Sequence, residues 1–229
     1  MGWPRFLSRR QPVVQDTDLV ACVPQAELKP ELSRPQLRIL ADAVSTAVST
    51  DLSGTSERLP LQEDREWFTT WPGEHYTLLA SLAESISAQR AWDIGTYHGA
   101  SALALAGVVE SVVTNDVVPL SDMEGAYVAL ESDWPNVTQV VGNLADDHFY
   151  ATHETSIADA DLIVMDGPKD GRFEYAVVPR LLTTMKTGSI LVMDDIRFAN
   201  MRALWLGLDR PRIDVGCFGH WSGTGIVFI

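Results

Sequence analysis

Asp93-Ile94-Gly95-Thr96-Tyr97-His98-Gly99-Ala100-Ser101 is the stretch that decides the fold. It follows the apolar run Ala91–Ile94 and leads into Ala100–Val109, where apolar residues return at helical spacing. Strand, glycine turn and helix in that order open a doubly wound sheet, in which ligands sit beyond the carboxyl ends of the strands. Gly95 lets the backbone turn sharply and approach a ligand, and Gly99 lets the helix begin close to the sheet. The spacing is D-x-G-x-x-x-G, whereas a dinucleotide fingerprint is G-x-G-x-x-G with a pyrophosphate on the helix N-terminus. The middle glycine is missing and an acid precedes the turn.

Short apolar runs alternate with helical segments after this stretch. Strands are expected at Ser111–Asn115, Val137–Val141, Leu162–Met165 and Ser189–Met193, with helices at Met123–Glu131, Tyr175–Met185 and Met201–Leu208. Arg212–Gly216 and Gly225–Ile229 read as a strand pair joined by a turn with glycines at 219, 223 and 225. The expected class is α/β: a doubly wound, mostly parallel seven-stranded sheet, Rossmann-like, with an antiparallel last strand. Before it, residues 1–24 read as an irregular arm and 51–60 as a loop. Residues 25–50 read as helical, with Leu37, Leu40 and Val44 recurring, and 73–89 likewise, with Leu78, Leu79, Leu82 and Ile86 on one face. This divides the chain into an N-terminal helical extension, residues 1–72, and a core domain, residues 73–229.

Composition narrows the function classes. The 229 residues carry 31 acids against 17 Lys and Arg, a formal charge of −14. So negative a surface repels nucleic-acid phosphates and anionic lipid heads, so neither is expected as a primary partner. Cys22 and Cys217 form no disulfide framework or zinc pattern, as expected of reduced thiols in a cytoplasmic protein. Arg5, Arg9 and Arg10 are followed by no apolar run, so no signal peptide is expected, and Phe6 disfavours myristoylation.

Asp93 ahead of the glycine turn repels a pyrophosphate but suits the cationic amino-acid end of a sulfonium cofactor. The second strand ends in Asn115-Asp116, 17 residues after Gly99, where an acid is placed to accept hydrogen bonds from ribose hydroxyls. With these residues the chain resembles the class I S-adenosylmethionine-dependent methyltransferases over residues 73–229. Asp93 to Ser101 matches their first motif, Asp116 the acid closing their second strand, and Pro72 to Leu79 a helix of the small-molecule O-methyltransferases. The resemblance implies S-adenosyl-L-methionine as cofactor, bound along Asp93, Gly95, Tyr97, Gly99, Ser101 and Asp116. Asn143 stands where many members have an acid for the adenine amine, leaving that contact to its amide, to backbone or to Asp146.

Two later segments carry the remaining chemistry. Met165-Asp166-Gly167-Pro168-Lys169-Asp170 follows the fourth strand, and Met193-Asp194-Asp195 follows the fifth. Three converging carboxylates, Asp166, Asp194 and Asp195, repel one another unless a cation sits among them. Oxygen ligands suit Mg2+, which would orient a substrate hydroxyl and lower its pKa. Lys169 would serve as general base if its own pKa were depressed. The pattern is similar to that of metal-dependent O-methyltransferases of the catechol and caffeoyl-coenzyme A type, with Asp195 replacing their asparagine. The resemblance implies Asp166, Asp194 and Asp195 as Mg2+ ligands, Asp166 also beside the cofactor, and Lys169 as base, acting on a small hydroxylated acceptor.

Other readings make different predictions. A metal-free methyltransferase would need a histidine base, sensitive at His75, His98 or His148. The missing middle glycine argues against a nicotinamide-binding oxidoreductase, and the intact acids argue against a non-catalytic partner subunit. Trp71, just before the entry helix, is positioned where an aromatic would close over a planar substrate, but ordinary packing is the expected role for it as for Trp67, Trp134, Trp205 and Trp221. The turn at 219–225 carries no expected chemistry. Residues 1–60 are expected to cover the site or form a homodimer contact.

Overall fold

The computed structural model describes residues 31–69, 75–198 and 200–229. Expectations resting on Cys22, Trp71, Pro72 to Glu74 or the arm before Glu31 lie outside those residues. Seven strands form one sheet in the order β3-β2-β1-β4-β5-β7-β6. They are β1 (Arg90–Ile94), β2 (Ser111–Asp116), β3 (Val137–Val141), β4 (Leu162–Met165), β5 (Ile190–Met193), β6 (Arg212–Asp214) and β7 (Gly225–Phe228). Neighbouring pairs from β3 to β5 are parallel, and β7 runs antiparallel to both β5 and β6. The doubly wound sheet with a reversed last strand is as the sequence leads one to expect.

Strand periodicity of two sends alternate side chains to opposite faces. Leu162 and Val164 of β4, with Ile190 and Val192 of β5, enter one apolar core; Ile163, Met165, Leu191 and Met193 enter the other. The first core is covered by α1 (Arg34–Ala47), α4 (Tyr76–Ser85) and α5 (Ala100–Ala106). The second is covered by α7 (Asp147–Asp159), α8 (Phe173–Thr184) and α9 (Met201–Gly207). Three shorter elements complete the helices: α2 (Ser53–Ser56), α3 (Gln62–Thr69) and α6 (Leu130–Asp133). Among the described residues no helix is long and apolar enough to cross a membrane.

α1 starts at a capping box, in which Ser33 and Gln36 exchange side-chain-to-backbone hydrogen bonds. Its buried face is Ala43 and Ala47, with Ile39, Leu40 and Val44 packed beside them, while Leu37 is exposed. The extension therefore shares the core of the sheet.

Three local expectations need correction. A helix over Met123–Glu131 does not form: Leu120–Asp122 makes a single 3-10 turn, and α6 begins only at Leu130. Gly125 sits between them at φ +83, a left-handed position that interrupts a helix. The 51–60 loop contains α2, and α3 follows it unanticipated, with Glu63 and Asp64 in its first turn. α7 was also unanticipated, because of its inward face only Tyr150 and Ile157 are buried. Its sequence signal is Asp146, whose side chain caps the helix by accepting from Phe149 N at 2.9 Å.

Candidate active site

The strand order reverses between β1 and β4, where a doubly wound sheet opens its ligand crevice. Asp166 N donates to Ile94 O at 2.8 Å, which joins the loops after these strands. Gly95, at φ +111, lies against the Asp166 backbone, and a Cβ there would meet the Asp166 carbonyl carbon at 2.7 Å. Only glycine fits such a contact at such a φ.

A cleft of about 470 Å³ opens along this line. Gly95, Tyr97, Asp116, Asn143 and Asp166 border it, joined by Gly167, Pro168 and Phe173. Asp116 Oδ2 accepts from Tyr97 N at 3.0 Å, and Oδ1 accepts from Val117 N at 2.7 Å. This carboxylate thus ties the glycine loop to the end of β2 while it borders the cleft. Asn143 Oδ1 accepts from Ala145 N at 2.9 Å, and Asp146 is occupied as the cap of α7.

Three of the expected cofactor residues stand one layer back. Asp93 is fully buried, accepting from Ser101 Oγ at 2.6 Å and Thr114 Oγ1 at 2.7 Å. Ser101 is thereby committed to Asp93, although it also borders the second cavity described below. Gly99, at φ +93, is the cap of α5 and borders neither cavity. These residues shape the loop from behind.

Burial pushes the Asp93 pKa up to about 7 from 3.8, and the two hydroxyl donors offset this only in part. The folded protein then holds a proton that the unfolded chain has released. Stability from this group is fully present below about 3.8 and is lost as pH rises to about 7. In Asp93→Asn that decline should vanish, changing the pH dependence of unfolding free energy by a few kcal/mol across the window. Denaturant titrations of both proteins at several pH values check this, and identical slopes would refute it.

A second cavity, of about 390 Å³, adjoins the first and shares Gly95, Tyr97 and Asp166 with it. Asp194, Asp195, Lys169 and His98 border it, as do Trp67 of α3 and His220. Lys169 Nζ makes a very close ion pair with Asp166 and lies 3.2 Å from Asp195 Oδ2 and 3.5 Å from Asp194 Oδ2. The three acids and the lysine of the two strand-end motifs are thus brought together. Glu174, fully buried, holds the loop by accepting from Lys169 N at 2.6 Å.

Electrostatics follow the geometry. Burial works to lower the Lys169 pKa, but Asp166, Asp194 and Asp195 outweigh it and drive it above the ordinary lysine value. In this arrangement Lys169 is an ammonium, and the depression that a base role asks for is not present. Burial and the neighbouring Asp194 raise Asp166. Burial also opposes ionisation of Asp194, but contacts with His75 and then Lys169 bring it below the ordinary range. Asp195 is held low by His220, Ser222 and Lys169 despite its burial.

Backbone strain marks the same place. Among the described residues, four non-glycine residues lie in the left-handed region: Tyr97 (φ +42), Lys169 (φ +55) and Asp195 (φ +57), which all border the second cavity, and Ser87 (φ +52), which does not. Each such residue costs on the order of 1–3 kcal/mol, and such strain gathers at working sites.

The histidines separate by position. His75 is buried, with Nδ1 3.4 Å from Asp194 Oδ1. His98 Nδ1 is 2.8 Å from Asp64 Oδ2 of α3, and its ring stacks on Tyr97 at 3.7 Å. His148 is exposed on α7 and borders neither cavity. His220 and Trp67, read from sequence as without chemistry, meet ring edge to face at 6.1 Å on the wall of the second cavity. His220 reaches this rim because β7 runs backwards, pairing Gly225 with Met193 at the carboxyl end of β5. No local motif marks either residue.

Comparison with known proteins agrees with this architecture. Residues 93–196 match a protein-family model described as a methyltransferase domain. No curated protein sequence matches the chain. Solved structures with a similar fold include the O-methyltransferase TomG from Streptomyces achromogenes, in complex with SAM. It is 20% identical with a TM-score of 0.52, the match covering 82% of this chain and 89% of that one. A methyltransferase from Geobacter sulfurreducens is 17% identical with a TM-score of 0.55, covering 88% and 98%. The SAH-bound Podospora anserina methyltransferase PaMTH1 is 15% identical with a TM-score of 0.50, covering both chains fully.

Proposed function

We propose that this chain is a class I S-adenosylmethionine-dependent methyltransferase, that its acceptor is a hydroxyl oxygen of a small molecule and that a divalent cation assists the transfer. The observation that carries this reading is the junction of two adjoining cavities at Gly95, Tyr97 and Asp166, with the acid and lysine cluster on the far side. TomG, of similar fold, is named as an O-methyltransferase and was solved with SAM, which supports S-adenosylmethionine as the methyl donor.

In the proposed step the acceptor oxygen forms a bond to the methyl carbon as the carbon–sulfur bond breaks. The sulfur keeps the electron pair and leaves as a neutral thioether, and the hydroxyl proton departs. Gly95, Tyr97 and Asp116 would hold the cofactor, while Trp67, Tyr76 and His220 would bound the acceptor. Much of the acceleration would come from positioning, since in-line geometry matters more here than covalent help. Asp166 stands at the junction beside the Lys169 ammonium, and its carboxylate, whose pKa is raised by burial and by Asp194, would be the group placed to receive the proton.

The residues fit a cation. Asp194 Oδ1 is buried without a hydrogen bond, and Asp194, Asp195 and His220 present ligand atoms within 4.8 Å of one another. Asp166, the third acid expected from sequence, adjoins them through Lys169. Such an ion, when bound, lowers the pKa of a coordinated hydroxyl.

A metal-free reading is favoured by one observation, the Asp64–His98 pair on the acceptor wall, an arrangement that suits a histidine base. Calorimetry with S-adenosylhomocysteine, followed by methyl-transfer assays on hydroxylated acceptors with and without chelator, separates the readings. Binding plus chelator-sensitive turnover is expected. Turnover indifferent to chelator and lost in His98→Ala would favour the histidine base, and absence of binding would defeat both.

A further inference from the structure

We propose that the ligand set for the cation is Asp194, Asp195 and His220 rather than three aspartates, and that the site therefore takes a first-row transition ion in preference to Mg2+. The inference rests on the reading of this cavity as a cation-assisted methyl-transfer site and specifies its ion.

The first argument is geometric. Among the described residues, Asp194, Asp195 and His220 form the group whose ligand atoms all lie within 4.8 Å of one another. Asp166 is outside that group, and its carboxylate is closely engaged by the Lys169 ammonium. Asp194 is only 5% exposed, and its Oδ1 makes no hydrogen bond, with His75 Nδ1 beside it at 3.4 Å. A buried carboxylate oxygen engaged by so long a contact is costly, and a cation would relieve it. Three carboxylates gather around the one ammonium, an excess of negative charge that a divalent ion relieves.

The second argument is the support given to His220. Ser222 Oγ makes a close hydrogen-bonding contact with its Nδ1, and Trp67 packs on its ring at 6.1 Å. Asp195 Oδ1 lies 3.6 Å from the same nitrogen, drawing imidazole and carboxylate together. Ser222 and Trp67 thus hold the ring beside the carboxylates with Nδ1 turned toward Asp195, and a bound ion would take that nitrogen in place of the Ser222 contact.

The chemistry of the set then selects the ion. Mg2+ takes oxygen ligands in a near-ideal octahedron, whereas imidazole suits later first-row metals such as Co2+, Ni2+ and Zn2+. Two carboxylates and one imidazole make a mixed set on which Mn2+ and Co2+ should outcompete Mg2+.

The test uses the full chain, stripped of metal by chelator. Mn2+ is titrated by electron paramagnetic resonance, Co2+ by its visible absorption, and Mg2+ by competition. One Mn2+ is expected per chain, with nitrogen hyperfine coupling in its spin-echo spectrum. His220→Gln should lose that coupling, and its Mn2+ affinity should fall about 100-fold, whereas Asp166→Asn should lower it less than about tenfold. S-adenosylhomocysteine binding in His220→Gln should match the parent, showing that the fold is intact. Unchanged Mn2+ binding and coupling in His220→Gln would overturn the ligand set, as would loss of the ion in Asp166→Asn alone. Failure to bind any divalent ion while S-adenosylhomocysteine still binds would overturn the metal proposal and spare the methyltransferase reading. Mn2+ binding that depends on His220 in a protein inactive on every hydroxyl would keep the ligand set and overturn O-methylation instead.

Discussion

Replacing Gly95 by alanine is expected to weaken S-adenosylhomocysteine binding by about 100-fold or more, a loss of roughly 3 kcal/mol. The added methyl would stand 2.7 Å from the Asp166 carbonyl carbon, a backbone atom that cannot rotate aside. Relief requires the loops after β1 and β4 to separate, yet Asp166 N is bonded to Ile94 O and Gly95 N to Asn115 O, each at 2.8 Å. The residue also sits at φ +111, which alanine avoids. Clash and strain act in the same direction, and both fall on the line where the two cavities meet. Gly107→Ala is the matched control. Gly107 lies at φ −76, with nothing within 4 Å of an added Cβ, so that substitution should be neutral or stabilise by a few tenths of a kcal/mol. Calorimetry and thermal unfolding of the pair check this. Normal binding in Gly95→Ala would mean that the cofactor does not use the first cavity.

The second large effect is expected at Asp194. Asparagine there keeps the volume but removes the charge that faces His75 at 3.4 Å and Lys169 at 3.5 Å. Turnover should fall by about 100-fold or more, because a preorganised charge beside the reacting atoms is lost. S-adenosylhomocysteine affinity should change little, since Asp194 borders the second cavity and not the first. Asparagine is preferred to alanine because it keeps a side-chain oxygen toward His75 and Lys169, whereas truncation would leave both without that partner and risk unfolding the protein. Equal losses in turnover and cofactor affinity would show that Asp194 supports the cleft rather than the chemistry.

The sheet was legible because β1, β4 and β5 are short apolar runs, the first followed by a glycine turn and the other two by acids, and this signal survives without tertiary context. Asp116, Asp166, Lys169, Asp194 and Asp195 were legible for the same reason, each lying at the carboxyl end of a strand. The layering was not. Asp93 reads as a cofactor contact by position, yet burial behind Ser101 and Thr114 is a property of packing. Lys169 reads as a base by spacing, yet the sequence does not display the three carboxylates that hold its proton in place. Trp67 and His220 were passed over because they come from α3 and the loop before β7, segments far apart in the chain that meet only when the sheet closes. α7 escaped notice because a helix with so few buried side chains has almost no apolar periodicity to read.

The reversed last strand also sets an order of assembly. The first cavity draws on residues 94–173, all of which leave the ribosome before His220. The second needs His220, delivered by a strand that must slot between β5 and β6. A nascent chain therefore holds every residue lining the first cavity before it holds the last wall of the second. On the proposed reading, the donor's contacts are synthesised early and the acceptor's last, and substitutions confined to the loop before β7 would alter the second set without replacing a residue of the first.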